Sequence, residues 1–217
     1  VVVDGKTYAS EEVTYGVRTY CENRFEKSSD EDLKSALVAL MNYGAAAQEF
    51  FGYDTENLVN RDLTEEQKAL ATQTIPEAVN STASVGSGIK MTADVSLKSK
   101  VILALTCKYK ATETSDMKFV VKTGDGKIID EFAPSRILAI ACQGVYENVG
   151  AKQMRQPLVF ELYDHDTLVS QSLTWSVESY VAATRANSAS SEALINAVDA
   201  MLIYGDSAAV YLESTGQ

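Results

Sequence analysis

The chain repeats itself, and that constrains its fold more than any other feature of the sequence. Val3–Tyr20 laid over Tyr163–Tyr180 gives identities at Asp4/Asp164, Thr7/Thr167, Ser10/Ser170, Thr14/Thr174, Val17/Val177 and Tyr20/Tyr180, six of 18 positions. Tyr15 falls opposite Trp175 and Val13 opposite Leu173. One inserted residue later the register resumes at an offset of 161. There Ser29, Glu31, Leu33, Ala36, Ala39, Tyr43, Gly44 and Ala47 match Ser190, Glu192, Leu194, Ala197, Ala200, Tyr204, Gly205 and Ala208. Self-similarity at a fixed spacing means that one supersecondary unit is used twice.

Each copy reads as a strand feeding a helical hairpin. Tyr8, Ser10 and Glu12 alternate with Ala9, Glu11 and Val13, which suits a strand near an edge. From Val17 the apolar spacing becomes helical through Tyr20, Cys21 and Phe25. Ser28 followed by Glu31 offers a capping box for the next helix. That helix places Leu33, Leu37, Leu40, Gly44, Ala47 and Phe51 on one stripe, and the second copy keeps it with Leu194, Val198, Met201, Gly205, Ala208 and Leu212. Glycine inside a helix costs about 1 kcal/mol against alanine, so its presence in both copies predicts a close approach by another backbone.

After Gly52 the chain turns. A short helix is expected from Thr64, boxed by Gln67 and ending before Pro76. Asn80–Gly88 is small and polar and reads as a linker, with Asn80-Ser81-Thr82 a glycosylation sequon in form. From Ile89 the pattern is β. The expected strands are Ile89–Leu97, Val101–Ala111, Met117–Thr123, Lys127–Phe132, Arg136–Tyr146, Leu158–Tyr163 and Thr167–Trp175, with a hairpin over Gly124-Asp125-Gly126. The expected class is therefore α+β, an antiparallel sandwich of about seven strands flanked by helical hairpins at both ends. The divisions are an N-terminal edge hairpin and helical unit (1–79), a linker (80–88), the sandwich (89–175) and a C-terminal helical hairpin packed on it (176–217).

Thirty acids against 19 bases give a net charge of −11, which repels phosphate backbones and anionic lipid and argues against nucleic acid or membrane as partner. Hydrophobic content is 46% with no apolar run of membrane-spanning length. The chain begins with Val and without a signal-like segment, so it reads as an excised or processed piece. Cys21, Cys107 and Cys142 lack metal-type spacing and read as small buried hydrophobes, with a Cys107–Cys142 disulfide across two strands as the alternative.

His165 is the single histidine and lies between Asp164 and Asp166. It could suggest a metal or acid–base site, but the other copy has Asp4-Gly5-Lys6 there, a hairpin turn. Paired carboxylates suitable for glycoside hydrolysis cannot be singled out among so many acids, most of which sit on helix faces and caps. No phosphate-binding glycine loop occurs, and neither a catalytic residue, a metal nor a cofactor is assigned.

The aromatic residues carry more information. Tyr20, Tyr43, Phe51, Tyr180 and Tyr204 lie on or beside the repeated stripes and are expected in the core. Tyr15 and Trp175 stand where the last strand passes into the helix, so each either seals the junction or floors a cleft. A cleft there would suit a sugar ring, which stacks on an aromatic plane and needs nearby amides and charges. Asn148, Gln153 and Arg155 on the preceding loop are the candidates for those contacts, and Tyr53 with Asp54 forms a second polar–aromatic pair at a helix end.

Tyr15-Gly-Val-Arg-Thr-Tyr20, Leu40-Met-Asn-Tyr-Gly-Ala-Ala-Ala-Gln48 and Phe51-Gly-Tyr-Asp-Thr-Glu-Asn-Leu58, with Trp175-Ser-Val-Glu-Ser-Tyr180 and Tyr204-Gly205, resemble a module common in large cell-surface and dockerin-bearing proteins of gut Firmicutes. The plan of sandwich and clustered helices is similar to the starch adherence system proteins of amylosomes, which bind α-1,4-glucans without cleaving them. The resemblance implies a secreted or cell-surface, non-catalytic starch-binding module, with Trp175 as the stacking residue. The alternative is a structural spacer or protein-adhesion module that contacts other modules of the same surface protein.

Overall fold

Strand alternation in the middle of the chain and helical spacing at its two ends both hold in the folded protein, which is α+β. The computed structural model describes residues 2–3, 6–7, 16–71, 75, 82–97, 100–112 and 114–216. β1 (Val2–Val3) and β2 (Lys6–Thr7) pair antiparallel, Val2 with Thr7 and Val3 with Lys6. The helices of the first copy are α1 (Val17–Lys27) and α2 (Glu31–Phe51), followed by α3 (Glu65–Lys68). The strands of the sandwich are β3 (Ala83–Val85), β4 (Met91–Leu97), β5 (Val101–Cys107), β6 (Met117–Thr123), β7 (Ile128–Phe132) and β8 (Arg136–Leu138). After them come β9 (Ala141–Tyr146), β10 (Leu158–Asp164), β11 (Thr167–Leu168) and β12 (Ser172–Trp175), then α4 (Val177–Ala186) and α5 (Glu192–Ser214).

One sheet runs β3-β12-β10-β6-β7, with β11 paired to β10, and the other runs β4-β5-β9-β8. That is the strand order of an immunoglobulin-type Greek-key sandwich. Val101, Leu103, Leu105 and Cys107 point inward from one sheet, opposite Phe119, Val121, Phe160 and Leu162 from the other. Tyr146 meets Phe160 edge-on at 5.3 Å across the two layers.

The strand list differs from expectation in four places, the first being that the strand expected over Val101–Ala111 ends at Cys107. Arg136–Tyr146 is a hairpin rather than one strand, because Leu138 pairs with Ala141 and the chain reverses through Ala139-Ile140. Thr167–Trp175 divides into β11 and β12 around Ser170, whose hydroxyl accepts from the Leu162 amide at 2.8 Å. The segment read as a linker contributes β3, which pairs with Ser172–Thr174 at the sheet edge.

The helix caps follow the sequence with one correction. Asp30 rather than Ser28 caps α2, its Oδ1 accepting from the Leu33 amide at 3.0 Å, and Ser191 does the same for Leu194 in α5. Ser28 instead accepts from the Asp30 amide. The Thr64–Gln67 box is present at α3, while Pro76 lies outside the described residues.

The two copies meet through their long helices. α2 packs on α5, and the repeat-equivalent Tyr43 and Tyr204 stack on each other at 6.3 Å with rings 9° from parallel. A residue touching its own counterpart gives this contact the self-complementary character of a two-fold interface. α5 is long and apolar enough to cross a membrane, but it buries Val198, Met201 and Leu202 in the sandwich core. α1 and α2 enclose a second cluster around Cys21, Val38 and Met41.

Gly44 and Gly205 are required by close approach in both copies. A Cβ at Gly205 would lie 3.0 Å from the Ala151 carbonyl oxygen and 2.7 Å from Met154 Sδ, and one at Gly44 would lie 2.7 Å from Val59 Cγ1. The neighbour is backbone and side chain at Gly205 but side chain alone at Gly44. Gly205→Ala is therefore expected to lose about 1–2 kcal/mol in denaturant unfolding despite the better helix propensity of alanine. A gain in stability would contradict this packing.

Candidate functional site

The predicted site residues do not converge. Trp175 is 3% exposed and belongs to the sandwich core, opposite Leu158 on β10. It seals the strand–helix junction, and its ring faces cannot take a ligand, which corrects its expected role as the stacking residue. Tyr15 lies outside the described residues. Asn148 donates to Asp130 Oδ2 at 3.2 Å on the sandwich, and Gln153 Oε1 accepts from the Gly150 amide to close a 3-10 turn, Ala151–Gln153.

Arg155 is a clamp. Its Nε and Nη2 bind the two oxygens of Asp206 at 2.5 and 2.6 Å, and its Nη1 donates to Glu178 Oε1 at 2.8 Å. These bonds, the one to Asp206 foremost, push the guanidinium pKa up. The fork geometry explains why arginine stands there. The loop before β10 is thereby fixed to α4 and α5 together.

The first copy holds its own loop from the same helix position, but with a residue of opposite charge and mostly through backbone carbonyls. Glu178 is the repeat counterpart of Arg18. Arg18 donates to the Val59 and Asn57 carbonyls at 3.2 and 3.1 Å and to the Leu58 carbonyl, and pairs with Asp62 at 3.6 Å. In each copy the second residue of the leading helix ties down the loop that covers the helical glycine. Arg155 and Arg18 are thus used in the architecture.

His165 occupies the tip between β10 and β11 with φ 54, and its Nδ1 lies 3.0 Å from Asp164 Oδ1, in keeping with a turn role. The Tyr109 hydroxyl at 2.8 Å is the main reason the Asp164 carboxyl titrates at about 2; the Ser115 hydroxyl, His165 and the Asp116 amide add to it. A carboxyl lowered in the folded state stabilises fully above its ordinary value of about 3.9, and that contribution fades as pH falls through about 2. The thermal midpoint is expected to drop between about pH 4 and 2, and Asp164→Asn to flatten that slope. An unchanged slope in the variant would exclude Asp164 as its source. Among the described residues no group of three or more His, Cys, Asp or Glu side chains is arranged to hold a metal.

Tyr53 and Asp54 are placed differently. Helix α2 ends at Gly52 in the left-handed conformation, and the chain turns with Asp54 at φ 48. Tyr53 is left 72% exposed and Phe51, two residues earlier, 55% exposed. Together with Gly44, Ala47, Gln48 and Leu97 at the end of β4, they line an apolar cleft of about 440 Å³. Gln48 holds this corner, its Oε1 accepting from the Val59 amide at 2.8 Å and its Nε2 donating to the Asp54 and Asn57 carbonyls. Asp54 Oδ2 accepts from Asn57 Nδ2 at 3.1 Å and remains at the exposed rim.

Phe51 was expected in the core. Its stripe is right, but the last turn of α2 runs past the neighbours that cover the rest of it. Leu97 and Gln48 were not anticipated at the site, and the available signal was the aromatic run Phe50-Phe51-Gly-Tyr53 across a helix C-cap. No protein-family model matches the chain, and no curated protein or solved structure matches it either.

Proposed function

We propose that the chain is a non-catalytic, secreted or cell-surface binding module for an uncharged glycan, with α-1,4-glucan the class implied by its resemblance to starch adherence proteins. One observation carries this reading: Phe51 at the end of α2 and Tyr53 just past its C-cap stay exposed beside an apolar cleft, at a corner fixed by Gln48. Exposed aromatic rings on a rigid support are the surface on which the apolar face of a sugar stacks. The Asp54 carboxylate and the Tyr53 hydroxyl at the rim supply partners for sugar hydroxyls. The net charge of −11 is no obstacle to a neutral ligand.

Affinity electrophoresis through amylopectin tests the proposal. The chain is expected to migrate more slowly in the polysaccharide gel than in a plain one and to release no reducing sugar from starch. Equal migration in both gels would remove the glucan reading, and released sugar would remove the non-catalytic one.

Module adhesion is the second reading, and one contrast favours it. Val177 is 1% exposed against the sandwich, whereas its counterpart Val17 is 57% exposed, beside the exposed Tyr20. A β-sandwich seated on α1 as this one is seated on α4 would cover both residues. This reading expects no shift in amylopectin.

A further inference from the structure

Cys107 is the last residue of β5, and Cys142 lies near the start of β9. The two are direct register partners, so their side chains leave the same face of the sheet and enter the same core. Opposed residues of an antiparallel pair have Cα atoms about 4.5–5.5 Å apart, inside the span of roughly 4.4–6.8 Å that a disulfide bridges. Both are free thiols here, held by weak contacts. Cys107 Sγ donates to the Ile89 carbonyl at 3.9 Å, and Cys142 Sγ to the Tyr109 carbonyl at 3.5 Å, with Met117 Sδ 3.3 Å away. Strand pairing ends here, because the Cys107 carbonyl accepts from the Tyr109 amide at 2.8 Å in a tight turn. A ladder end adjusts its strand spacing more readily than the middle. Cys21 packs in the other hydrophobic cluster, with α2.

We propose that Cys107 and Cys142 are a dithiol–disulfide site that bridges β5 to β9 when the chain folds in the presence of a disulfide oxidant such as glutathione disulfide. One cysteine thiolate attacks the oxidant, giving a mixed disulfide and releasing one glutathione. The second thiolate attacks the protein sulfur of that mixed disulfide, forming the Cys107–Cys142 bond and releasing the second glutathione. Two protein thiols and one glutathione disulfide thus become one protein disulfide and two glutathiones, which carry the two protons and the two electrons.

Burial decides when this happens. Both thiols are fully buried, and burial pushes their pKa values up, that of Cys107 to about 11. Little thiolate exists once the sandwich has closed, so exchange belongs to the folding chain. The finished bond is shielded from reductants by the same burial. The bridge is independent of the glycan cleft, which lies on other elements.

The experiment refolds the full chain from guanidinium in a glutathione redox buffer, quenches it with acid, and alkylates it under denaturing conditions before peptide mass spectrometry. The expected result is one alkylated cysteine, Cys21, and a cross-linked peptide joining Cys107 to Cys142. Cys21→Ser refolded in the same way is expected to carry no alkyl group. Three alkylated cysteines in the parent chain, two in the variant, or a bridge that uses Cys21 would overturn the proposal.

Discussion

Arg155→Met is expected to lower the free energy of unfolding by about 3 kcal/mol. The guanidinium joins two carboxylates from different helices, and one of them, Glu178, is 3% exposed. Methionine keeps much of the volume and removes every donor. Glu178, which is buried, and Asp206, which is partly so, would then lose the positive charge they share. Breaking a buried ion pair from one side costs roughly 3–5 kcal/mol, whereas removing both sides together often costs little. The variant Arg155→Met with Glu178→Met and Asp206→Leu is therefore expected to recover part of the loss. Equal stability of Arg155→Met and the parent chain in urea would show that the clamp is ornamental.

The other large effect concerns binding. Phe51→Ala and Tyr53→Ala are each expected to weaken glucan affinity by on the order of tenfold, about 1.4 kcal/mol per stacked ring, and the double variant by roughly a hundredfold. Both rings are exposed by more than half, so truncation leaves folding stability within about 0.5 kcal/mol of the parent. Loss of binding with an unchanged unfolding curve separates a ligand contact from a structural one. Trp175→Phe does the reverse, since its ring is buried in the core: it is expected to cost stability while leaving glucan affinity intact.

The repeat made most of the helical architecture legible. It placed Tyr43 opposite Tyr204 and marked Gly44 and Gly205 as close contacts, because both follow from local spacing and from comparing the copies. Strand alternation made the sandwich legible in the same way. The hairpin at Ala139-Ile140 escaped because it reverses without the Gly, Pro or Asn that usually announce a turn. β3 escaped because its side chains are small and its pairing partner, β12, is almost 90 residues away in sequence.

The site was harder to read. Trp175 and Phe51 each fit their helix or strand pattern, but periodicity reports a face and not the end of the element covering it. Whether such an aromatic is core or surface depends on where a neighbour stops, which is a tertiary fact. Arg155 likewise looked like a ligand contact until Asp206, 51 residues on, was brought to it.

Backbone amide shifts recorded while maltoheptaose is titrated into the parent chain test the central claim most directly. The expected perturbations center on Gly44, Gln48, Phe51, Tyr53 and Leu97, with little change around Trp175. Absence of any shift at millimolar ligand, or shifts grouped on another face of the sandwich, would contradict it.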